Sequence, residues 1–466
     1  MKHPLTLTLL SLHIGLAYAQ TPVSQMADTP EFEETTELSP IVITATRGAK
    51  QKLEIPESVE VISAAQIEKH NINDAQDLIR HVPGVTVSRK SSGADPFANL
   101  SGFNIRGVGG NRLQVQVDGS RIIEEIQDGN RNFVDMSNLK SVEILKGPGS
   151  VLWGADALAG VVKFRTLDPQ DILQGQAWAG KVNLGYDSLN REFNQGFSLA
   201  SQINESNQVL LSATHRRSHE NKLSNARADG GVMGCPRVAD AIECNQLNPL
   251  RADVYNILGK WTWQPNENHE VKFTGEHFVS DSDAKQLYDY GLQANGSFNG
   301  DYDRHQKQTR SRFAIEDTWT PDLNWLNQAK IQLSYSPQKR EFWSNRQQTN
   351  AANKAVHTYS STNYEETFLQ ADVQLESQFE TGPVSHTLTY GFQGDHTQAD
   401  YDNLTVTNTN GTIVSKPAGG FNFANASTRR ADLYVQDEIR LFDDKLLLTP
   451  GIRWATYHIS PKPDAD

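Results

Sequence analysis

From Gln176 onward the chain keeps one texture: segments of about ten residues in which apolar and polar side chains alternate, the period of a β-strand with two unlike faces. Trp178, Val182, Leu184 and Tyr186 share the first apolar face, and Phe193, Phe197 and Leu199 the next. The alternation returns at Val209, Leu211 and Ala213, at Tyr255, Ile257, Trp261 and Trp263, and at Val271, Phe273 and Val279. It continues through Phe313 and Ile315, through Ile331, Leu333 and Tyr335, and through Leu369, Val373, Leu375 and Phe379. Leu388, Tyr390 and Phe392, then Leu433, Val435 and Ile439, then Leu448, Ile452 and Trp454 complete eleven predicted strands. Short turns at residues 264–268, 380–383 and 442–445 alternate with long polar stretches at residues 221–253, 281–307 and 399–429. Tight turns on one side and long loops on the other are the pattern of a transmembrane barrel, whose lipid-facing residues alternate with polar lumen-facing ones.

Residues 103–166 read differently, as short strands punctuated by glycine. Leu113, Val115 and Val117 alternate with Gln114 and Gln116 before the turn pair Asp118-Gly119. Val142, Ile144 and Leu145 lead into Gly147-Pro148-Gly149, and Val161, Val162 and Phe164 form another short strand. Upstream, Ile67, Ile72, Ala75, Leu78 and Ile79 fall near helical spacing, which predicts a helical stretch over 65–80 stopped by Pro83-Gly84. Residues 58–166 therefore predict a small α/β domain with short helices and a mixed sheet. Gly149 and Gly154 have the spacing of a phosphate loop, but Ala155-Asp156 stand where that chemistry needs Lys and Ser or Thr, so a nucleotide site is rejected.

The beginning of the chain reads as an address. Met1-Lys2-His3, an apolar run over 5–16 and Ala17-Tyr18-Ala19 make a secretory signal peptide over residues 1–19. Residues 20–38 carry Asp28, Glu31, Glu33, Glu34 and Glu37 with almost nothing to bury, and predict an unstructured arm. The character changes at Pro40, Ile41, Val42, Ile43, Thr44 and Ala45, a β-prone segment suited to strand addition onto a partner's sheet edge, or to serve as an ordinary first strand. The two cysteines, Cys235 and Cys244, are expected to pair in an oxidising compartment; a metal site there lacks a second ligand pair.

Composition alone points elsewhere. The chain has 466 residues, 37% of them hydrophobic, and a formal net charge of −13. After the signal nothing approaches the ~18–20 consecutive apolar residues of a membrane helix. Acidity without a basic cluster argues against nucleic-acid binding. Glu124, Glu125 and Asp128 read as a solvated loop rather than an acid/base pair, and no nucleophile or metalloprotease motif is present, so no enzyme and no catalytic residue is expected.

The blocks DAQDLIRHVPGV, FNIRG, LQVQVDG, VEILKGPGSVLWG and AGVV stand in the order and at the spacing of the plug domain of TonB-dependent outer-membrane receptors, which this region closely resembles. The resemblance implies an α+β plug domain at residues 49–168, followed by an antiparallel transmembrane β-barrel over 175–466 in the cell outer membrane. It makes residues 20–48 a flexible periplasmic arm in which Pro40, Ile41, Val42, Ile43, Thr44 and Ala45 form the TonB box. Plugged outer-membrane transporters have about 22 strands. Eleven make a partial barrel with two open edges, each unpaired backbone group in lipid costing several kcal/mol. The chain is therefore expected to be the N-terminal part of a longer receptor, or a truncated remnant without function.

Within the family, the run GVVKFRTLDPQD over 160–171 is most like the haem and haemoglobin receptors. The expected function is iron acquisition by taking up haem or extracting it from haemoglobin; the alternative is a ferric siderophore or other metal chelate. Expected partners are TonB with its inner-membrane energising complex, outer-membrane lipid, and haem or a haem protein, without nucleic acid and without a resident cofactor or metal. Axial haem ligation needs a His, Tyr, Met or Cys, and the apical stretch 91–102 holds no His or Tyr. His81 reads as packed or capping. His215 and His219 read as a strand end and loop, where their spacing does not align two ligands. His277, His305, His357 and Tyr359 are loop candidates. Trp261, Trp263, Tyr288, Asp289 and Tyr290 suit a chelate pocket, or an interfacial aromatic belt.

Overall fold

The computed structural model describes residues 41–42, 47–48, 50–51, 55, 57–87, 102–122, 134–220, 248–417 and 425–462. The signal peptide, the arm to Pro40, the residues Ile43, Thr44 and Ala45, the apical stretch to residue 101, the acidic trio Glu124, Glu125 and Asp128, and both Cys235 and Cys244 lie outside the described residues.

The glycine-punctuated region folds around a five-stranded mixed sheet. Its strands lie in the order Val59–Ser63, Leu139–Leu145, Gly160–Thr166, Leu113–Val117 and Ser120–Arg121. The third and fourth run parallel, pairing Val162 with Val115. The period-two reading places Val142, Ile144, Val162 and Phe164 on one face, where all four are fully buried with Leu78 in a common core. The single helical stretch predicted over 65–80 is two helices, Ala64–Lys69 and Ala75–Ile79. Asn71 sits in the left-handed region at φ 48°, and Asp74 caps the second helix by accepting hydrogen bonds from the backbone N–H groups of Gln76 and Asp77. Those local interactions end one helix and start another without disturbing the spacing of the buried residues. A smaller sheet joins Val85–Val87, Phe103–Ile105 and Val108–Gly109.

The second half is one antiparallel wall of eleven strands, matching the eleven apolar faces. It begins with Trp178–Asp187, Glu192–Asn204, Asn207–His219, Leu250–Asn266 and His269–Lys285. Phe298–Trp319, Gln328–Thr349, Ala355–Thr381, Val384–Thr409 and Ala426–Leu441 follow. The last strand is split into Leu446–Leu448 and Gly451–Pro461, both paired with Ala426–Leu441. Thr449-Pro450 separates them, because proline has no N–H for the ladder. The first and last strands do not pair with each other, so the wall is an open sheet. Apolar side chains such as Val182, Leu184, Phe313, Ile331 and Ile452 stand exposed on its outer face, as lipid contact requires. Among the described residues, no helix is long and apolar enough to cross a membrane.

Two predicted loops, 281–307 and 399–429, are strand over much of their length. His269–Lys285 and Phe298–Trp319 stay paired as far as Lys285 with Asp303, and Val384–Thr409 runs through residue 409 before Thr412–Pro417 folds back on it. A 26-residue strand far exceeds the ~9–11 residues that cross lipid. Past the apolar band the outward positions become Asp281, Asp283, His305 and Lys307, so both faces are polar and the alternation disappears although the ladder persists.

Gly160 is dictated by close approach: a Cβ there would lie 2.1 Å from the carbonyl oxygen of Leu145 on the neighbouring strand. Gly160→Ala is expected to destabilise the small domain by roughly 1–3 kcal/mol or more. Trypsin digestion of the detergent-solubilised protein checks this: cleavage after Arg165 should accelerate while the wall strands stay protected.

Candidate functional site

The small domain rests against the inner face of the wall along a seam of buried charge. Its centre is the tight turn at Asp118-Gly119, whose φ angles of 45° and 83° suit a two-residue hairpin. Asp118 accepts hydrogen bonds from the Thr166 backbone N–H at 2.9 Å and hydroxyl at 2.6 Å, which tie the turn to its own sheet. From the wall, Arg312 donates to the same carboxylate at 2.9 Å and Lys260 stands 3.5 Å away. Arg312 is 0% exposed and donates also to Glu276, which Arg310 and Asn256 share. Gln332 and Gln370 donate to the carbonyl oxygens of Asp118 and Gly119, at 2.6 and 3.0 Å. The turn favours glycine at 119, and a Cβ there would stand 2.5 Å from Gln332 Oε1 and displace that amide.

Two further groups extend the seam. Asp168 meets Lys140, Lys260 at 2.8 Å and Lys272 at 3.6 Å. Arg121 and the wall's Arg430 converge on Asp156 and Asp395, while Arg453 joins Asp432 at 2.6 Å and donates to the carbonyl oxygens of Val151 and Leu152. Burial alone would raise the Asp118 carboxyl, but Lys260 and Arg312, with the Thr166 donors, hold it well below the usual carboxylate range. Burial likewise opposes ionisation of Asp168, and Lys260, Lys272 and Lys140 overcome it.

A third arrangement concerns the β-prone segment. Ile41–Val42 pairs antiparallel with Lys50–Gln51 in a ribbon separate from the plug sheet. Between them Arg47 is buried: it donates to the Leu152 carbonyl oxygen at 2.8 Å, to Asp372 at 2.9 Å and to the Tyr434 hydroxyl at 2.8 Å. Its guanidinium lies between the rings of Trp153 and Tyr434, 4.4 and 4.5 Å from their centroids. Lys50 pairs with Glu438 beside it.

The histidine candidates are dispersed. His81 is exposed and its ring lies tilted against that of His70, with centroids 4.2 Å apart, rather than packed in the core or capping. His215 lies within Asn207–His219 and His219 at its end, so neither is in a loop, and His215 is taken by Asp253 at 3.0 Å and by stacking on Tyr255. His277 faces Ser311, and His357 and Tyr359 lie at the start of a strand, next to the turn at residues 351–353. His305, with Asp281 and Asp283, forms a group whose ligand atoms all lie within 4.8 Å of one another. The imidazole bridges the carboxylates, 2.8 Å from Asp283 and 3.6 Å from Asp281, and stacks on Trp343, so its nitrogens are already engaged. Trp261 and Trp263 stand on the outer face and stack together, as membrane-interface aromatics do. The seam residues escaped sequence reading. Their only trace is charge at lumen-facing positions, such as Glu276, Arg310 and Arg312 in step with the buried side of the alternation.

A small mixed domain plugging a wall of lumen-polar strands is what two family profiles describe. Residues 51–161 match the TonB-dependent Receptor Plug Domain, and residues 250–465 match the TonB dependent receptor-like β-barrel. The chain belongs to the TonB-dependent receptor family. Members are outer-membrane receptors and not an enzyme family, which puts the wall of this receptor chain in the outer membrane. A hemin receptor of Yersinia pestis is 26% identical over 98% of this chain and 60% of its own length. Lactoferrin-binding protein A of Neisseria meningitidis is 29% identical over 51% of this chain and 26% of its own. The Pseudomonas aeruginosa receptor FpvA, solved with a bound ferric pyoverdine, superposes with a TM-score of 0.66 at 17% identity, covering 92% of this chain and 55% of that one, a likeness of fold. The receptor chain thus spans roughly a quarter to three-fifths of these proteins' lengths.

Removing one partner of a buried ion pair costs about 3–5 kcal/mol. Asp118→Asn is therefore expected to speed hydrogen exchange in the Gly160–Thr166 strand by roughly a hundredfold or more. The native seam carries a pH signature. With Asp118 and Asp168 below the ordinary value of 3.8, the folded state binds fewer protons than the unfolded one. Their stabilisation is complete above about pH 4 and is lost as pH falls through the folded values. The share of exchange protection that Asp118 and Asp168 supply, corrected for intrinsic rates, should stay level from pH 7 to about 4 and fall below it.

Proposed function

We propose that this chain supplies the plug and part of the barrel wall of a receptor that takes up haem across the outer membrane, energised through TonB. The observation that carries this reading is the alignment with the Yersinia pestis hemin receptor, which runs through plug and wall alike over 98% of the chain. The match to lactoferrin-binding protein A stops at 51%.

Ligand bound at the outer face biases the plug, and Pro40, Ile41, Val42, Ile43, Thr44 and Ala45 become available in the periplasm. TonB then adds a strand to that segment. The short ladder between Ile41–Val42 and Lys50–Gln51 supports this: among the described residues two residue pairs hold the segment, and a longer partner strand replaces them readily. A pull reaches Arg47 next. Through its bond to Leu152 and its contact with Trp153, that residue passes the load to the plug helix Ser150–Trp153 and away from Asp372 and Tyr434 on the wall. Residues 1–19 act as the signal, 20–48 as the arm, 49–168 as the plug and 175–466 as the barrel portion. Cys235 and Cys244 pin an external loop as a disulfide.

In cells carrying the receptor, Ile43→Pro should reduce haem uptake to background yet leave haem binding at the surface intact, because proline removes a donor and resists strand pairing. Uptake at the native rate overturns the TonB assignment. Deletion of the gene should abolish growth on haemoglobin as sole iron source and spare growth on ferric siderophores; the reverse pattern moves the cargo to the chelate class.

A further inference from the structure

Between the plug sheet and the middle strands of the wall lies a cavity of about 250 Å³, far from both open edges of the sheet. Eight basic side chains line it against four carboxylates. Those carboxylates are engaged: Asp118 and Asp168 by the seam, Glu316 by Lys330 at 2.8 Å, and Asp372 by Arg47. Arg165 reaches Glu143 across the plug sheet at 3.6 Å.

Lys163 has no such partner. Its side chain leaves the plug strand on the wall side and is only 7% exposed, yet among the described residues no carboxylate lies within ion-pair distance and no oxygen accepts from it. Its Nζ lies over the face of Trp153, 5.0 Å from the ring centroid. Burial pushes the ammonium down to about 8 against the pull of Glu143, which leaves it protonated at neutral pH. Gln116, its register partner on the parallel strand, is fully buried with neither amide atom hydrogen-bonded. Glu143 stands opposite Lys163 on the antiparallel strand and pulls on its charge, but without an ion pair or a hydrogen bond the buried ammonium stays costly, and a ring face only partly offsets that cost.

We propose that this cavity binds a small oxyanion of the phosphate or carboxylate class, held by Lys163 with Arg165 and the wall's Lys330 beside it. The surplus of basic groups excludes a cation, and the charged lining excludes an apolar guest. The volume equals about eight water molecules of liquid and lies below the ~300–1,000 Å³ of pockets for larger ligands. It therefore suits a free ion rather than a metal-chelate cargo. Such an ion touches plug and wall together, so its binding strengthens the seat.

The test titrates the receptor chain in detergent with sodium phosphate, and with acetate in parallel, at ionic strength held constant with sodium chloride. Hydrogen exchange of the Gly160–Thr166 strand is the readout. Protection should rise and saturate, and Lys163→Gln should weaken the apparent affinity about ten- to hundredfold. Should that variant disturb the seat itself, crystals of the native chain soaked in selenate decide: an anomalous peak is expected within hydrogen-bond reach of Lys163 Nζ. No saturable response of the native chain to either anion, an equal response from Lys163→Gln, or a soaked crystal without a peak there overturns the proposal.

Discussion

Arg312 is a guanidinium without solvent contact, and the seating of the plug depends on how that charge is met. Asp118 meets it from the plug and Glu276 from the wall, each within about 3 Å. A buried pair of this kind adds little net stability over an apolar contact of the same shape, but losing either partner leaves a stranded charge. The penalty for a misplaced plug is therefore steep, while the correct seat is only moderately favoured over water. On the proposed function, that asymmetry suits a domain that must hold one position at rest and still leave it. Apolar packing works in the same direction: Val254 and Phe278 of the wall complete the plug core, and Tyr434 joins the cluster around Leu145, Trp153 and Val161.

The wall answers a different constraint. In hydrocarbon every backbone N–H and C=O must pair, and antiparallel strands do so while leaving one face for lipid and one for the lumen. A slip of one residue would bring Arg312 to lipid and Phe313 to the plug. The strict alternation of that strand, with Arg310 and Arg312 buried and Phe313 and Ile315 exposed, is what allows a charged seam to exist inside a membrane protein.

Much of this architecture is legible in the chain. The eleven apolar faces correspond to eleven strands, and the residue types of Asp118-Gly119 are enough to mark a tight turn. The helical stretch at 65–80 reads as one element because the buried residues keep helical spacing across a break made by Asn71 and Asp74, which act on the backbone alone. Residues 281–307 and 399–429 read as loops because their strands have two polar faces. The seam is the least legible feature. Asp118, Arg312 and Glu276 are 158 residues apart or more from turn to wall, and nothing in local pattern distinguishes a lumen charge that meets a partner from one that meets water.

The most direct test of the docked arrangement uses Val151 on the plug helix and Gly451 on the wall. A Cβ added at Gly451 would stand 2.8 Å from Val151 Cγ1, which brings the two Cβ atoms within disulfide range. In the double variant Val151→Cys, Gly451→Cys, mass spectrometry of peptides from oxidised outer membranes should find the two positions joined in nearly every molecule. Free thiols at both positions in protein that has reached the membrane would contradict the seat.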